Sequence, residues 1–276
     1  MLDDIIQLNG KEDGPTSVIF AGIHGNEKCG IDAIMKVLPN LKIARGRVFF
    51  IYGNPQAINI NRRFVGADLN RMFQNSKMLS KSDRGSYEYK RAQFLKKYLD
   101  KAEVLLDLHA SSIVKSKPFI ICEKNAKEII KYLPIDAVVS GFDKIGPGGT
   151  DYYMNKIGKI GVCVECGYLT GSKSTKIAEK SIFAFLKSVG HIKNNIIPYQ
   201  KKHYIKIYKR YLSKTDKFVL AKPYKNFEIV KRGQLIGTDD KEKIKAKKNS
   251  LILFAHNLKK MGEEAFILGE NKEGLV

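Results

Sequence analysis

Val18-Ile19-Phe20-Ala21-Gly22-Ile23-His24-Gly25-Asn26-Glu27 sets an apolar run directly against a cluster of glycines and polar side chains. An unbroken apolar run of strand length suits a strand buried on both faces of a sheet. The run 17–21 has four counterparts, at 47–52, 104–108, 118–122 and 161–164. Amphipathic stretches lie between and after them, at 31–38, 87–99, 128–133 and 174–189. Pro39 stops the first of these, and Ile177, Ile182, Phe185, Leu186 and Val189 stripe the last at helical spacing. Strands alternating with helices predict an α/β fold, a largely parallel sheet with helices on its faces.

The pattern changes near residue 190. Residues 191–200 hold Asn194-Asn195 and Pro198, which suits a linker. Strand-like runs follow at 204–208, 217–220, 228–230, 235–236, 251–255 and 265–268, punctuated by Gly233, Gly237 and Gly262. The expected organisation is a domain over 1–195 and a small β-rich C-terminal domain over 196–276.

Chemistry concentrates where strands end. Ligand sites of open α/β sheets lie beyond the carboxyl ends of their strands. His24 and Glu27 are three residues apart, so a turn or helix start brings both to one point, and both are zinc-ligand types. The run Val104-Leu105-Leu106-Asp107-Leu108-His109 delivers a second histidine in the same way. A catalytic zinc commonly keeps three protein ligands and one open position, and His24, Glu27 and His109 make such a set. Asp107 shares a strand face with His109 and is placed to orient its ring. Glu165 interrupts the apolar run Val162-Cys163-Val164. A carboxylate there is costly unless paired or functional, and suits proton shuttling beside a metal. Arg62, Arg63, Asn70 and Arg71 follow the strand at 47–52, and arginine grips carboxylates bidentately. Alone, each motif also has a plain reading: a solvated loop, a strand cap, a salt-bridged buried acid, a basic surface loop. His191, His203 and His256 lie in the linker or the tail without such a context.

Together the motifs resemble the succinylglutamate desuccinylase/aspartoacylase family, a branch of the zinc carboxypeptidases. His-Gly-Asn-Glu at 24–27, Asn-Pro-x-Ala at 54–57, Arg-x-x-x-x-Asp-Leu-Asn-Arg at 63–71, Asp-Leu-His at 107–109 and Glu-x-Gly at 165–167 occur in the family's order. The resemblance implies a carboxypeptidase-like α/β/α sandwich with a mostly parallel mixed sheet and a small β-rich C-terminal domain. It implies one Zn²⁺ held by His24, Glu27 and His109. Arg63 would contact the scissile carbonyl, Asn70 and Arg71 would hold the substrate carboxylate, and Glu165 would activate the water. Asp68 would support the arginines. The implied reaction is amide hydrolysis of an N-acyl amino acid or similar small anionic amide. A metallocarboxypeptidase acting on peptides or cell-wall fragments would use the same metal and base. The family's usual proline after the Asn-Arg-x-Phe segment is replaced by Gln74. Residues 144–150 are placed as a possible pocket rim, and Tyr208, Tyr211 and Tyr224 as contributors from the tail.

Composition sets the outer bounds. Of 276 residues, 43% are hydrophobic, enough for a substantial core. No run approaches the roughly 20 apolar residues of a membrane helix. Met1-Leu2-Asp3-Asp4 is acidic and does not read as a secretory signal, so a cytoplasmic protein is expected. Cys163 and Cys166 would face opposite sides of one strand, which suits buried thiols better than a metal knuckle. The net charge of +21 is spread as lysine throughout, with 19 Lys+Arg against 9 Asp+Glu over 201–276. No aromatic-interleaved motif accompanies it, which makes nucleic acid an improbable partner and leaves a non-catalytic basic binding protein as the remaining alternative.

Overall fold

The computed structural model describes residues 4–169, 171–193, 197–199, 201–258 and 260–275. The first half holds the expected strands and helices together with β1, α2 and α3, which the sequence did not announce: β1 (Ile5–Asn9), β2 (Glu12–Ala21), α1 (Lys28–Val37), β3 (Arg45–Tyr52), α2 (Pro55–Asn59), α3 (Lys81–Gly85), α4 (Tyr87–Leu99) and β4 (Val104–Ser111). Then come β5 (Phe119–Cys122), α5 (Lys127–Ile130), β6 (Ala137–Ser140), α6 (Phe142–Ile145), α7 (Thr150–Lys156), β7 (Ile160–Tyr168) and α8 (Ser172–Val189). The C-terminal segment is all strand: β8 (His203–Leu212), β9 (Phe218–Leu220), β10 (Glu228–Val230), β11 (Leu235–Asp239), β12 (Glu242–Lys245), β13 (Ser250–Leu253) and β14 (Glu264–Lys272).

Among the described residues, eleven strands form one sheet in the order β1-β3-β2-β4-β7-β5-β6-β8-β14-β13-β10. Its centre, β3-β2-β4-β7, is parallel, with Ala21 beside Leu108 and His109 beside Glu165. β5 runs antiparallel to β7. The parallel strands are apolar on both faces because helices cover both. Ile19 and Ala21 pack with Ile34 of α1 and Phe185 of α8, whereas Val18 and Phe20 pack with Leu95 and Leu99 of α4. One strand thus feeds two cores through its alternating side chains. Cys163 and Cys166 join different clusters on opposite faces, and the four cysteines are free and buried. The expected α/β/α sandwich is the observed fold.

The C-terminal segment divides its strands. β9, β11 and β12 form a small antiparallel sheet, while β8 pairs in parallel with β6 and carries β14, β13 and β10 into the main sheet. Tyr211 stacks on Phe266 with ring centroids 5.1 Å apart and donates to Asp239 at 2.8 Å. Tyr224 donates to the Leu235 carbonyl, and Tyr208 bonds Ser250. These tyrosine hydroxyls are engaged within the segment, which corrects the expectation that they reach the pocket.

The expected linker at 191–200 also needs correction at its start; 194–196 and 200 lie outside the described residues. His191 is fully buried behind α8. Its Nδ1 bonds the Arg45 carbonyl at 2.9 Å and its Nε2 bonds the Ser17 hydroxyl at 2.8 Å, tying the helix end to β2 and β3. Burial lowers its pKa against the opposing Arg45 carbonyl, so the ring is held neutral. A base with a lowered folded pKa adds stability that is complete above its unfolded value of about 6.5 and is lost as the pH falls through the folded value. His191→Phe should therefore cost about 2 kcal/mol near pH 8. The gap from wild type should narrow toward about pH 5. Urea unfolding at both pH values checks this, and a gap independent of pH would contradict the neutral-ring assignment.

Candidate metal centre and active site

The parallel strands release their polar residues on one edge of the sheet. β2 ends at Ala21, and Gly22 at φ +67 turns the chain so that His24 and Glu27 follow in a tight turn, Glu27 N–H donating to His24 O at 3.1 Å. Gly25 has no room for a side chain: an added Cβ would lie 2.1 Å from the Ala57 backbone. Glu27 sits at the N-cap of α1, and β4 brings His109 to the same point.

The three side chains are buried and converge. His24 Nδ1 lies 2.7 Å from Glu27 Oε1, His109 Nδ1 lies 2.9 Å from Glu27 Oε2, and the two Nδ1 atoms are 3.2 Å apart. Tetrahedral ligands at zinc–nitrogen distances near 2.05 Å stand about 3.3 Å apart. The nitrogen pair already has that separation, and two imidazoles with one carboxylate form a donor set suited to a divalent cation. Each ring has a carboxylate behind it. Asp68 Oδ1 is 3.0 Å from His24 Nε2, and Asp107 Oδ2 is 3.1 Å from His109 Nε2. Such partners would fix the ring orientation and the atom turned toward a bound metal. Asp107 stands on the strand face expected of it, within ion-pair reach of His109 Nε2. Asp68 reaches further than expected, meeting His24 as well as Arg63, whose Nη2 is 3.2 Å from Asp68 Oδ2.

Charge is tightly compensated here. Burial opposes the ionised form of Glu27, yet His24 and His109 hold its carboxyl far below the usual range. For His109 the burial penalty is overcome by Asp107 and Glu27, and its pKa stands well above normal. The ionised Glu27 and protonated His109 thus compensate each other, and a bound cation would take the place of that proton. Glu165 follows the opposite course. Burial, then the charge of Glu27, raises its pKa to about 7. Its Oε2 is buried with no hydrogen-bond partner among the described residues. It lies beside His109 across the β4–β7 pairing.

Arg63 borders this group, Nη1 standing 3.3 Å from Glu27 Oε1 with its side chain nearly half exposed. Asn70 and Arg71 follow on a 3-10 turn capped by Asp68, whose Oδ1 accepts the Asn70 N–H at 2.9 Å. Residues 144–150 lie against that turn, Gly148 O accepting the Phe73 N–H at 3.1 Å.

Sequence reasoning missed what holds the arginine loop. Glu88, fully buried in the first turn of α4, accepts the amides of Val65, Gly66 and Ala67 and the side chain of Asn54. Arg91, one turn on, grips the Tyr52 and Gly53 carbonyls at the end of β3. Both read in the sequence as the polar face of an amphipathic helix. The one available signal was acid and base one turn apart beside the arginine-rich stretch.

The model of the succinylglutamate desuccinylase/aspartoacylase catalytic domain matches residues 13–189. The chain belongs to that family. Succinylglutamate desuccinylase of Photorhabdus laumondii is 40% identical over 78 residues, covering 26% of this chain and 24% of the relative. The Pseudoalteromonas atlantica enzyme is 31% identical over 136 residues, covering 42% and 39%. The alignments thus span well under half of these curated relatives. Among solved structures, succinylglutamate desuccinylase from Vibrio cholerae has a TM-score of 0.82 at 20% identity, covering 97% of this chain and 85% of that one. The ectoine utilization protein EutE of Ruegeria pomeroyi, solved with product bound, has a TM-score of 0.73 at 18% identity, covering 96% and 88%. Proteins with different names therefore share this fold, and His24, Glu27 and His109 lie within the matched residues 13–189.

Alanine at His24 or His109 should abolish stoichiometric metal binding in competition with a chromophoric chelator. Asp107→Asn should weaken it about 10–100-fold. An affinity equal to wild type in that variant would remove Asp107 from the support of the site.

Proposed function

We propose that this chain is a zinc-dependent hydrolase that cleaves the amide bond of an N-acyl amino acid or a similar small anionic amide. The observation that carries this reading is the convergence of two imidazole Nδ1 atoms and a carboxylate beside Glu165, a buried acid with a free oxygen. His24, Glu27 and His109 would hold the metal. Bound zinc supplies Lewis acidity, polarising a carbonyl and lowering the pKa of water.

The chain's own groups do the rest. Glu165 takes a proton from the attacking water and delivers it to the departing amine nitrogen. Its raised pKa suits both directions of that transfer. Arg63 stands beside Glu27 with its guanidinium partly open to the cleft, placed to stabilise the charge that develops on the carbonyl oxygen. Asn70, through its side-chain N–H, and Arg71, through its guanidinium, hold the substrate carboxylate. The same reading places the protein in the cytoplasm. Its cysteines are free thiols, and among the described residues no helix is long and apolar enough to cross a membrane. It also divides the chain at 195/196, with 1–195 carrying the chemistry.

A panel of N-acyl aspartates, N-acyl glutamates and C-terminal di- and tripeptides tests the substrate class. Release of amino acid from the acyl compounds, blocked by a chelator, is the expected outcome; cleavage of peptides alone would replace the reading with a metallocarboxypeptidase. Glu165→Gln should lower kcat by about 10²–10⁴-fold at unchanged metal content. The base must be ionised, so kcat/KM should fall on the acid side of a pKa of about 7 or lower, a bound dication favouring the ionised form. Full turnover in the metal-loaded Glu165→Gln protein would refute the assignment of the base.

A further inference from the structure

We propose that Arg210, on a strand of the C-terminal segment, is a positioning residue for the Asn70–Arg71 pair, acting through the loop that joins α6 to α7. The proposal deepens the function given above and rests on its reading of Asn70 and Arg71 as the carboxylate holders.

The loop reads Gly146-Pro147-Gly148-Gly149. Three glycines leave it little stiffness, and its position is set by what grips its ends. One end is gripped by the metal centre. Thr150 donates its hydroxyl to Asp107 Oδ2, the oxygen beside His109 Nε2. The other end is gripped from the C-terminal segment. Arg210 Nη1 donates to the Ile145 carbonyl at 3.1 Å, and its Nε lies 3.1 Å from Glu264 Oε2 on the neighbouring strand β14.

Between the grips the loop backs the substrate-holding turn. Gly148, at φ +113, lies so close that an added Cβ would stand 2.7 Å from the Arg71 carbonyl oxygen. An added Cβ on Gly149 would stand 3.2 Å from Asn70 Oδ1. The Phe73 N–H to Gly148 O bond fastens the two segments together. The two guanidiniums also sense each other: burial lowers the Arg210 pKa, Glu264 opposes it, and the Arg71 charge lowers it further. The Arg210–Glu264 ion pair holds the guanidinium against the Ile145 carbonyl and so keeps the loop against residues 70–73. Without it, the loop retains the Thr150 grip and the single Phe73–Gly148 bond, so the backing of Asn70 and Arg71 loosens while the metal ligands and Glu165 keep theirs.

Arg210→Met keeps the apolar stem and removes the fork. Hydrogen–deuterium exchange should quicken at the Phe73 amide and across 146–149, with β2 and β4 unchanged. In turnover, KM for an N-acyl amino acid should rise about 10-fold with kcat within about twofold. The matching N-acyl amino-acid carboxamide, which offers no carboxylate, should show no change in KM, and Arg210→Lys should recover part of the loss. Glu264→Gln, which loosens the clamp from behind, should move the same readouts in the same direction and decides the matter if Arg210→Met does not fold. Unaltered Phe73 exchange overturns the proposal, as does an equal loss on both substrates. If the wild type hydrolyses no acyl amino acid, the proposed function fails, and the Phe73 exchange alone decides whether Arg210 positions the pair.

Discussion

A carboxylate sealed inside the protein is the constraint on which this site depends. Glu27 is 3% exposed and ionised, a state that costs several kcal/mol unless each oxygen is satisfied. It accepts from both imidazoles, from Arg63 and from the Ala110 amide at 3.0 Å. Those partners arrive from β4, from the turn after β2 and from the loop beyond α2. The glycines that permit the turn, the parallel register of β2 with β4, and the Asp68 and Asp107 contacts to the rings are all conditions for burying that one charge. A divalent cation would take over the role of the donors without any large movement of the ligand atoms.

A second buried carboxylate organises the ground beside it. Glu88 collects three consecutive amides of the arginine loop, so that Arg63 and Asp68 leave a fixed platform instead of a free loop. Preorganisation of this kind would serve Arg63 in the oxyanion role proposed for it, because a mobile guanidinium must be ordered at the moment of reaction.

The sequence made legible what depends on local pattern. The runs at 17–21, 47–52 and 104–108 are predominantly apolar, of strand length and bounded by polar clusters, so their burial and their chemistry-bearing ends follow directly. Other elements were illegible for identifiable reasons. β6 spans only Ala137–Ser140, and β12 is the lysine-rich edge Glu242–Lys245, whose composition disguises a strand while protecting it from unwanted pairing. The parallel docking of β8 on β6 joins residues far apart in sequence and has no local signal. Glu88, Arg91 and Arg210 look like solvated charges because only tertiary packing supplies the groups they bind. His191 looked like linker because its two partners, Ser17 and the Arg45 carbonyl, lie at the other end of the catalytic region.

The β6–β8 pairing also imposes an order of assembly on a chain made from its N-terminus. His24, Glu27 and His109 are translated early, and Glu165 completes their neighbourhood well before β8 is synthesised. Arg210 can grip the Ile145 carbonyl only after β8 docks, and its Glu264 partner arrives later still on β14. Until β8 is made the edge of β6 has no partner, so the strands that cover that edge are the same ones that bring Arg210 to the Ile145 carbonyl.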